Sequence, residues 1–358
     1  MRVALLTYST RARGGVVHTL ALAEALAEQG TSVDVWSLAR GGDGAFFRPV
    51  DDRVGVRLVP FPELDGEPVG ARILRSIEVL AAAFDVGDYD VVHAQDCISA
   101  NSVPRCVRTI HHLDEFTTPE LVACHERAIV APYAHICVSA AVAAEVEQQW
   151  GLRPTVIPNG VDSARFASAA GDGARRLEWA QRLGRYVLAV GGIEPRKGTV
   201  DLVTAMAAVQ RADPRLRLVI AGGETLFDYR DYRAAVLKDA ADLGVDLDLL
   251  GPVEHDRLPP LVAQASVFAF PSIKEGFGLA AMEALAAGVP VVMRDLPVLR
   301  EVFGDTAAFA ATAEHLAQSI LTAAIAPGPE RTRRGTDLAF AHSWAAAAQR
   351  HIAFYGAL

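Results

Sequence analysis

Residues 271–292 of the chain read PSIKEGFGLAAMEALAAGVPVV, and they follow the short apolar run Val267–Phe270. An apolar run of this length predicts a buried parallel strand. Gly276 and Gly278 allow positive φ angles and a close approach of the backbone to a ligand. The segment 279–287, which is rich in alanine and leucine, then predicts a helix. A strand, a glycine loop and a helix in this order present free N–H groups and a partial positive charge, which together predict an anion site.

Two carboxylates lie on either side of this predicted anion site. Glu275 is in the loop, and Glu283 is on the helix eight residues later. Neither carboxylate suits the anion itself, because like charges repel. Carboxylates accept hydrogen bonds from vicinal hydroxyl groups, which sugars and riboses supply. The pattern therefore indicates a nucleotide sugar, and the structural alternative is a capping loop with two solvated glutamates.

A second glycine-rich loop follows a predicted strand at 186–190. It reads GGIEPRKG over 191–198, and the pattern G-x-x-x-R-K-G begins at Gly192. Arg196 and Lys197 are adjacent in this loop. Two adjacent cations on a helix face are usually solvated, whereas on a glycine-flanked loop beside a phosphate site they suit a pyrophosphate. We therefore predict a pyrophosphate clamp here.

The N-terminal segment predicts a further βαβ unit. A strand at 3–8, a helix at about 17–29 and a strand at 33–38 surround a loop that contains Gly14 and Gly15. The glycine pair lies at the carboxyl end of the first strand, where open α/β sheets place ligands. It is not the G-x-G-x-x-G dinucleotide fingerprint, so the pair by itself is a weak signal.

A histidine pair lies at another predicted carboxyl strand end. Residues 107–114 read VRTIHHLD, which predicts a strand and then a loop with His111 and His112. A lone histidine is usually structural or exposed. A pair at a strand terminus that faces the expected ligand edge is a better candidate for the functional site.

Composition limits the class of protein. A chain of 358 residues with 51% hydrophobic and 22% charged residues is globular and long enough for two domains. The formal net charge of −9 argues against nucleic acid as a partner. The N-terminus is too short an apolar run for a signal peptide, and no run reaches the about 18 apolar residues of a transmembrane helix. We therefore expect a cytoplasmic protein whose cysteines are reduced thiols: Cys97, Cys106, Cys124 and Cys137.

Two D-x-D patterns resemble a divalent-metal motif. They are Asp88-x-Asp90 and Asp246-x-Asp248, and each precedes an apolar strand. A strand start lies at the sheet edge opposite the carboxyl ends where ligands bind. We therefore expect no metal at either pair.

The chain resembles the GT-B glycosyltransferases, and most closely glycosyltransferase family 4. Three elements carry the resemblance: the E-x7-E stretch from Glu275 to Glu283, the G-x-x-x-R-K-G loop, and the string VIPNGVD at 156–162. The resemblance implies an α/β fold with GT-B architecture. In that architecture two Rossmann-like domains face a central cleft, and a C-terminal helix crosses back to the N-terminal domain.

The same resemblance implies the domain organisation. We expect an acceptor-binding domain at 1–165, with the C-terminal helix 342–358 packing on it, and a donor-binding domain at 166–341. Residues 168–172 are small and polar, which predicts the linker. The expected anchors of the C-terminal helix are Trp344, Phe354 and Tyr355.

By this resemblance the protein is a retaining hexosyltransferase that uses a nucleotide diphosphate sugar and an acceptor that the sequence does not name. The resemblance implies no metal and no other cofactor, because Arg196, Lys197 and the helix dipole would carry the charge of the leaving group. Glu275 would contact the hexose hydroxyls, and Glu283 the ribose hydroxyls.

The resemblance also assigns the remaining contacts. His111 would hydrogen-bond the donor sugar near the reacting centre, with His112 as the alternative one residue along. The backbone around Val253 would hold the nucleobase, although the sequence does not decide between uracil, guanine and adenine. The loop at Gly15 would close over the donor phosphates and the acceptor. The expected substrate-binding residues are Gly15, Gly192, Val253, Gly276, Phe277, Gly278, Leu279 and Glu283.

Other activities on the same fold are a sugar-nucleotide epimerase, a phosphorylase and a catalytically silent nucleotide-sugar-binding protein. A phosphorylase needs a pyridoxal lysine, and the chain offers few candidates because it has three lysines. Some relatives reach membrane lipids through a basic amphipathic helix, which leaves peripheral membrane contact open. The segment 69–84 can form an amphipathic helix, but Arg72 and Arg75 do not make a polybasic patch, so a plain surface helix is favoured.

Overall fold

The computed structural model describes residues 1–87, 89–114, 116, 118–223 and 229–358. The chain forms two compact units. Unit 1 consists of Met1–Gly160 and Trp344–Leu358, and unit 2 consists of Val161–Ser343. Asp88 of the first D-x-D pattern lies outside the described residues.

Unit 1 is built on a sheet whose seven described strands all run parallel. The strands are β1 (Arg2–Thr7), β2 (Ser32–Arg40), β3 (Val54–Phe61), β4 (Val91–Ala94), β5 (Val107–Ile110), β6 (Ala134–Cys137) and β7 (Thr155–Val156). Their order is β3-β2-β1-β4-β5-β6-β7. The direction of sheet growth reverses between β1 and β4, which is the switch point where such sheets bind ligands.

Helices connect these strands and cover both faces of the sheet. Successive residues of β1 enter two separate cores, with Val3 and Leu5 in one and Ala4 and Leu6 in the other. Burial on both faces explains why the strands are continuous apolar runs. The helices between the strands are α1 (Gly14–Glu28), α2 (Val69–Ala83), α3 (Cys97–Asn101), α4 (Pro119–Val130) and α5 (Ala140–Trp150).

Unit 2 repeats this architecture with six described parallel strands. They are β8 (Arg185–Val190), β9 (Leu216–Ala221), β10 (Leu247–Gly251), β11 (Val267–Phe270), β12 (Val291–Arg294) and β13 (Ala308–Ala310). Their order is β10-β9-β8-β11-β12-β13, so the switch point lies between β8 and β11.

The helices of unit 2 pack around this sheet, whose main core includes Val187, Leu218 and Val267 at 0% exposure. They are α6 (Ser163–Gly171), α7 (Gly173–Leu183), α8 (Thr199–Ala212), α9 (Arg230–Asp242), α10 (Leu258–Gln264), α11 (Leu279–Ala286), α12 (Pro297–Phe303), α13 (Ala313–Ile325) and α14 (Pro329–Ala341). Single helical turns also form at Pro195–Lys197 and His255–Arg257.

Several local predictions are confirmed. The run Val267–Phe270 is strand β11, and the predicted helix at 279–287 is α11, which ends one residue earlier at Ala286. The predicted strand at 186–190 is β8 with one more residue at its start. Local composition was sufficient here because each element is a strong strand or helix former between glycine-rich loops.

Two local predictions were wrong. Residues 168–172 are not a linker, because α6 extends to Gly171 and α7 begins at Gly173. The segment forms a helix because Asp162 caps its first turn and Phe166 is fully buried. The helix predicted from about residue 17 begins earlier, at Gly14. The first turn of a helix can contain glycines, because its N–H groups have no partner within the helix in any case.

The last helix, α15 (Trp344–Gly356), packs within unit 1. Tyr355 is 5% exposed, and its hydroxyl lies 2.6 Å from His93 Nδ1 in β4. The ring of Trp344 lies edge-on to His18 of α1, with 5.3 Å between the ring centroids. Helix α15 is therefore part of unit 1. Its contact with His93 is a hydrogen bond that lies inside an apolar core.

Gly160 tests this packing. A Cβ added there would lie 2.4 Å from the backbone nitrogen of Trp344. We expect Gly160→Ala to reduce the free energy of unfolding by about 1–3 kcal/mol, because α15 must shift to make room. Chemical denaturation measures the loss. Gly44→Ala is the matched control, since a Cβ at Gly44 meets nothing within 4 Å, and equal effects of both substitutions would contradict the close packing.

Candidate active site

The glycine loop and helix for which the sequence predicts an anion site lie at 271–286 in unit 2. Helix α11 begins after Gly278, which has a left-handed φ of 96°. Because this N-cap residue is a glycine, no side chain caps the helix. The first N–H groups of any α-helix have no acceptor within the helix. Gly276 and Leu279 flank this turn, whereas the ring of Phe277 is 3% exposed and packs against His342. Phe277 can therefore reach a ligand only through its main chain.

The structure brings the two predicted loops of unit 2 into one charged cluster. Lys197 Nζ lies 2.6 Å from Glu275 Oε1, and Arg196 Nη1 lies 3.4 Å from the same oxygen. Arg196 also pairs with Glu194, with 2.8 Å between Nη2 and Oε1. The Glu275 side chain is 10% exposed, so the cluster is largely shielded from water. Two cations, Arg196 and Lys197, and two carboxylates, Glu194 and Glu275, thus form one cluster in the loops that follow β8 and β11 of unit 2.

Close contact between the two backbones holds these loops together. Ile273 N donates to Arg196 O at 2.8 Å. Gly198 has a φ of 63°, and a Cβ there would lie 2.2 Å from the carbonyl oxygen of Pro271. Only glycine fits this approach, which explains the glycine after Arg196-Lys197.

The sequence analysis missed a buried hydroxyl in this loop. Ser272 is 1% exposed, and its Oγ has no hydrogen-bond partner among the described residues. It lines a cavity of about 20 Å³ together with Gly192 and Lys197. A buried hydroxyl without a partner is costly and suits a bound water or a ligand oxygen. In the sequence, the signal for Ser272 was its place within the stretch 271–292, directly before the glycine loop.

Glu283 has different surroundings from Glu275. Burial raises its pKa to about 7, while nearby Arg165 lowers the pKa and Asp162 raises it. In the part of the chain that the structure describes, no group donates a hydrogen bond to this carboxylate. Arg165 and Asp162 come from the start of α6, 118 and 121 residues before Glu283 in the numbering, so sequence spacing gave no signal for them.

Val253 lies half-buried in the loop after β10. Beside it, Pro252 approaches Gly223 of the loop after β9, where an added Cβ would lie 3.1 Å from the proline ring. The structure thus places the proposed nucleobase residue at the carboxyl edge of the sheet. This is the same edge that carries the loops after β8 and β11.

In unit 1, His111 follows β5 directly. Burial lowers its pKa well below the usual value, and the neighbouring Arg108, His112 and His93 lower it further. Its Nε2 is buried and has no hydrogen-bond partner among the described residues. His112 instead approaches Asp114, with 3.2 Å between Nε2 and Oδ2. The geometry therefore favours His111 over His112 as a neutral imidazole for a ligand.

His18 is a neighbour of His111 that the sequence analysis missed. The two rings meet edge-on with centroids 4.8 Å apart. His18 Nδ1 donates to Asn159 Oδ1 at 2.9 Å, which fixes its ring. Burial lowers the pKa of His18 well below its usual value, so both rings are neutral. Gly15, one turn earlier on α1, faces open space.

The acidic pairs have other partners. Asp246 and Asp248 both approach Arg217 of β9, at 2.8 and 3.0 Å. Asp90 accepts a hydrogen bond from Arg2 N at 2.7 Å. Among the described residues, no group of three or more histidine, cysteine or acidic side chains has the geometry to hold a metal ion.

Two Rossmann-like units, each built on a parallel sheet with a switch point at its carboxyl edge, define the class of the fold. Comparison with known proteins gives the family. Residues 12–165 match the family described as Glycosyltransferase Family 4, and residues 181–333 match Glycosyl transferases group 1. The chain belongs to the group 1 glycosyltransferases of the family 4 type, and it is a glycosyltransferase.

Two relatives illustrate the match. The D-inositol 3-phosphate glycosyltransferase of Salinispora arenicola is 32% identical over 325 residues, which cover 78% of this chain and 71% of that protein. The phosphatidyl-myo-inositol mannosyltransferase of Mycolicibacterium smegmatis is 30% identical over 328 residues, covering 85% and 79%.

Solved structures confirm the GT-B fold. Sucrose-phosphate synthase from Thermosynechococcus elongatus superposes with a TM-score of 0.79 at 20% identity, covering 99% of this chain and 98% of that one. Anabaena HepE, solved in complex with UDP and glucose, gives a TM-score of 0.78 at 19% identity, and the match covers 99% of both chains.

Within the described residues, no helix combines the length and the apolar character needed to cross a membrane.

The raised pKa of Glu283 predicts a pH-dependent cost of burial. The unfolded carboxyl ionises near its ordinary pKa of 4.5, whereas the folded one stays protonated until about pH 7. Stability relative to a neutral side chain is therefore lost between these two values as pH rises. We expect Glu283→Gln to stabilise the ligand-free protein at pH 8 but not at pH 4.5, as measured by denaturant unfolding. Glu178→Gln, at an exposed glutamate of α7, is the control, and a pH-independent gain at Glu283 would contradict its burial.

Proposed function

We propose that this glycosyltransferase moves a hexose-type sugar from a nucleotide diphosphate sugar to an acceptor hydroxyl with retention of configuration at the transferred carbon. The observation that carries the proposal is the cluster of Lys197, Arg196 and Glu275 beside the N-terminus of α11. Phosphate oxygens fit guanidinium, ammonium and helix N–H donors, and sugar hydroxyls fit a carboxylate. One cluster therefore offers partners for both parts of such a donor.

In the proposed reaction the bond between the sugar C1 and the β-phosphate oxygen breaks. The acceptor oxygen bonds to C1 on the same face, and its proton passes to the departing phosphate oxygen. Negative charge grows on the β-phosphate, where Lys197, Arg196 and the helix N-terminus stabilise it. The ion pair with Glu275 holds Lys197 in place before the donor binds, so little reorganisation is needed.

Glu275 and Glu283 have separate proposed roles. Glu275 would exchange part of its contact with Lys197 for hydrogen bonds from the hexose hydroxyls. Glu283 has no hydrogen-bond donor among the described residues, which supports its proposed role as an acceptor for ribose hydroxyls. Hydrogen bonds from those hydroxyls favour the ionised form and would offset the cost of its burial.

His111 would act as a neutral hydrogen-bonding group toward the donor sugar. Its lowered pKa supports this, because burial disfavours a protonated imidazole and Arg108 would repel one. A neutral ring can place a donor or an acceptor at the sugar without adding a charge.

Lys197 tests the proposed electrostatic mechanism. Purified protein is incubated with labelled UDP-, GDP- and ADP-sugars in EDTA, and nucleotide diphosphate release and product mass are measured. We expect turnover in EDTA, and we expect Lys197→Ala to lower kcat by about 10²–10³, the scale for one preorganised charge stabiliser. Lys197→Arg should restore activity only in part, because a planar fork does not replace a compact ammonium.

Lys238 is the control for this substitution, because it lies exposed on α9 and pairs with Asp242. Loss of activity in EDTA with recovery in Mn²⁺ would overturn the metal-independent mechanism. Nucleotide release without a transferred product would indicate a hydrolase, and no release with any donor would indicate a silent binder.

His111 makes a separate prediction. We expect His111→Ala to reduce kcat strongly while the affinity for the bare nucleotide diphosphate changes little, because the proposed partner is the sugar. Steady-state kinetics and calorimetry measure the two quantities. His112→Ala is the control one residue along, and if it alone lowers kcat, the assignment moves to His112.

A further inference from the structure

Cys97 and Cys124 lie side by side in unit 1, although they are far apart in the sequence. Cys97 is the first residue of α3, and Cys124 lies in the middle of α4. The amide nitrogen Nδ2 of Asn101 contacts both residues, at 2.7 Å from Cys97 O, 2.8 Å from Cys124 O and 3.4 Å from Cys124 Sγ. Both cysteines are free thiols. We call Cys97 and Cys124 the thiol pair.

A hydrogen bond joins the two sulfurs of the thiol pair. It raises the pKa of Cys97 and lowers the pKa of Cys124, so Cys97 donates its S–H and Cys124 accepts it. Burial opposes ionisation of both thiols, whereas this bond stabilises the first thiolate that forms. The thiolate is the nucleophilic form of cysteine. The thiol pair therefore loses its first proton more easily than two isolated buried thiols would.

The other two cysteines of the chain lack this activation. Cys106 and Cys137 are 2% and 0% exposed. Burial raises the pKa of Cys106 to about 11 and the pKa of Cys137 to about 12, so both thiols stay protonated at neutral pH. A protonated, buried thiol is inert. The thiol pair is therefore the reactive site among the cysteines.

The two members of the thiol pair differ in their access to solvent. Cys97 is partly exposed, whereas Cys124 is 5% exposed. A small reagent from solvent therefore meets Cys97 first, with Cys124 behind it. Of the neighbouring charges, Asp96 raises and Arg108 lowers the pKa of both thiols. An accessible cysteine next to a second, resolving cysteine is the arrangement of redox-sensitive sites.

We propose that the thiol pair is an oxidative modification site, at which a peroxide converts Cys97 and Cys124 into a reversible disulfide that slows sugar transfer. Cys97 passes its proton to the Cys124 thiolate, and the Cys97 sulfur attacks a peroxide oxygen. The O–O bond breaks, Cys97 becomes a sulfenic acid, and the departing hydroxide takes up the proton that the thiol pair had released. The Cys124 sulfur then displaces the sulfenic hydroxyl, which leaves as water with the Cys124 proton. Two thiols are oxidised, and one hydrogen peroxide is reduced to two waters.

The disulfide acts on the sheet edge that carries His111. The segment between the two cysteines contains β5 and His111, so the bond closes this segment into a covalent loop. A sulfur–sulfur bond is shorter than a hydrogen bond between thiols, so α3 and α4 must move together when it forms. The effect on the rate rests on the proposed function, which assigns His111 to the donor sugar.

The start of α3 is also tied to the end of β1. Gln95 N donates to Leu6 O at 3.0 Å, and Asp96 Oδ2 accepts from Tyr8 N at 2.9 Å. A shift of α3 therefore reaches the loop after β1 as well as the loop after β5. A misplacement of about 1 Å in an enzyme can cost on the order of 10²-fold in rate, even far from the reacting atoms.

The first test locates the bond. The reduced full chain is treated with hydrogen peroxide, the remaining thiols are alkylated under denaturing conditions, and a non-reducing tryptic digest is analysed by mass spectrometry. We expect one cross-linked peptide pair that contains Cys97 and Cys124, lighter by two hydrogen atoms than the separate peptides, and we expect dithiothreitol to separate it. Cys97→Ser should give no cross-link. Cys106→Ala is the matched control and should keep the cross-link.

Other products of this reaction decide against the proposal. A disulfide through Cys106 or Cys137, or a disulfide between two chains, would assign the reactivity to another thiol. Sulfinic acid at Cys97 without a cross-link would show that Cys124 does not resolve the sulfenic acid. Unmodified Cys97 and Cys124 after treatment would show that the contact between the two thiols is structural.

The second test measures the effect on the rate. Nucleotide diphosphate release is compared in the reduced, the peroxide-treated and the re-reduced chain. We expect peroxide to lower kcat on the order of 10²-fold and dithiothreitol to restore it. Cys97→Ser should keep the rate of the reduced native chain and resist peroxide, whereas Cys106→Ala should lose activity as the native chain does. If circular dichroism shows that Cys97→Ser is unfolded, Cys124→Ala removes the same bond and replaces it.

The two tests separate this inference from the proposed function. A cross-linked chain with an unchanged kcat, or an equal loss of activity in Cys97→Ser, would overturn the effect of the disulfide on transfer. If the reduced native chain releases no nucleotide from any donor, the proposed function fails. The peptide masses still decide in that case whether the thiol pair forms a disulfide.

Discussion

Parallel pairing of β8 with β11 is the constraint on which the candidate donor site depends. Neighbouring parallel strands end at the same sheet edge, so the loops that follow them meet although they lie far apart in the chain. Lys197 and Glu275, which are 78 residues apart, become an ion pair of 2.6 Å in this way. A shielded ion pair adds little net stability, because the cost of removing water offsets the attraction. Its effect here is to hold both charges in position before a ligand arrives.

The two units share an architecture but differ in whether their cations have carboxylate partners. In unit 2, Arg196 and Lys197 each have a carboxylate within ion-pair distance. In unit 1, Arg40 is more buried and has none among the described residues. A paired cation can exchange its partner for a ligand at small cost, whereas an unpaired buried one gains more from an arriving anion.

Helix α15 completes the core of unit 1 around a group of histidines. His93 bonds to Tyr355 at 2.6 Å on one side and to Thr109 at 2.7 Å on the other. Burial lowers the pKa values of His93, His18 and His111 well below the usual range. These rings are therefore neutral hydrogen-bonding groups at physiological pH. The C-terminal helix thus contributes to the surroundings of His111 as well as to the packing of the sheet.

The sequence by itself determined the elements whose signals are local. The strand, glycine loop and helix from Val267 to Ala286 followed from an apolar run, glycines and helix formers in the right order. The sequence also placed the adjacent cations at 196–197 at the carboxyl edge of a sheet, because their loop follows a predicted strand. Family membership was also readable, because these motifs are contiguous strings. Helix α6 was missed because its small residues resemble a loop, and only the burial of Phe166 reveals its packing.

Only the tertiary structure decided which distant side chains meet. It placed Glu275 against Lys197, Arg165 near Glu283, and the edge of His18 against His111. Among the described residues it also left Arg40 buried with no carboxylate within ion-pair distance, although the sequence offers many acidic residues. The reason is physical: a side chain's protonation and partners depend on burial and on strand order, which brings together residues from separate parts of the chain. Neither burial nor strand order can be read from the spacing of residues along the sequence.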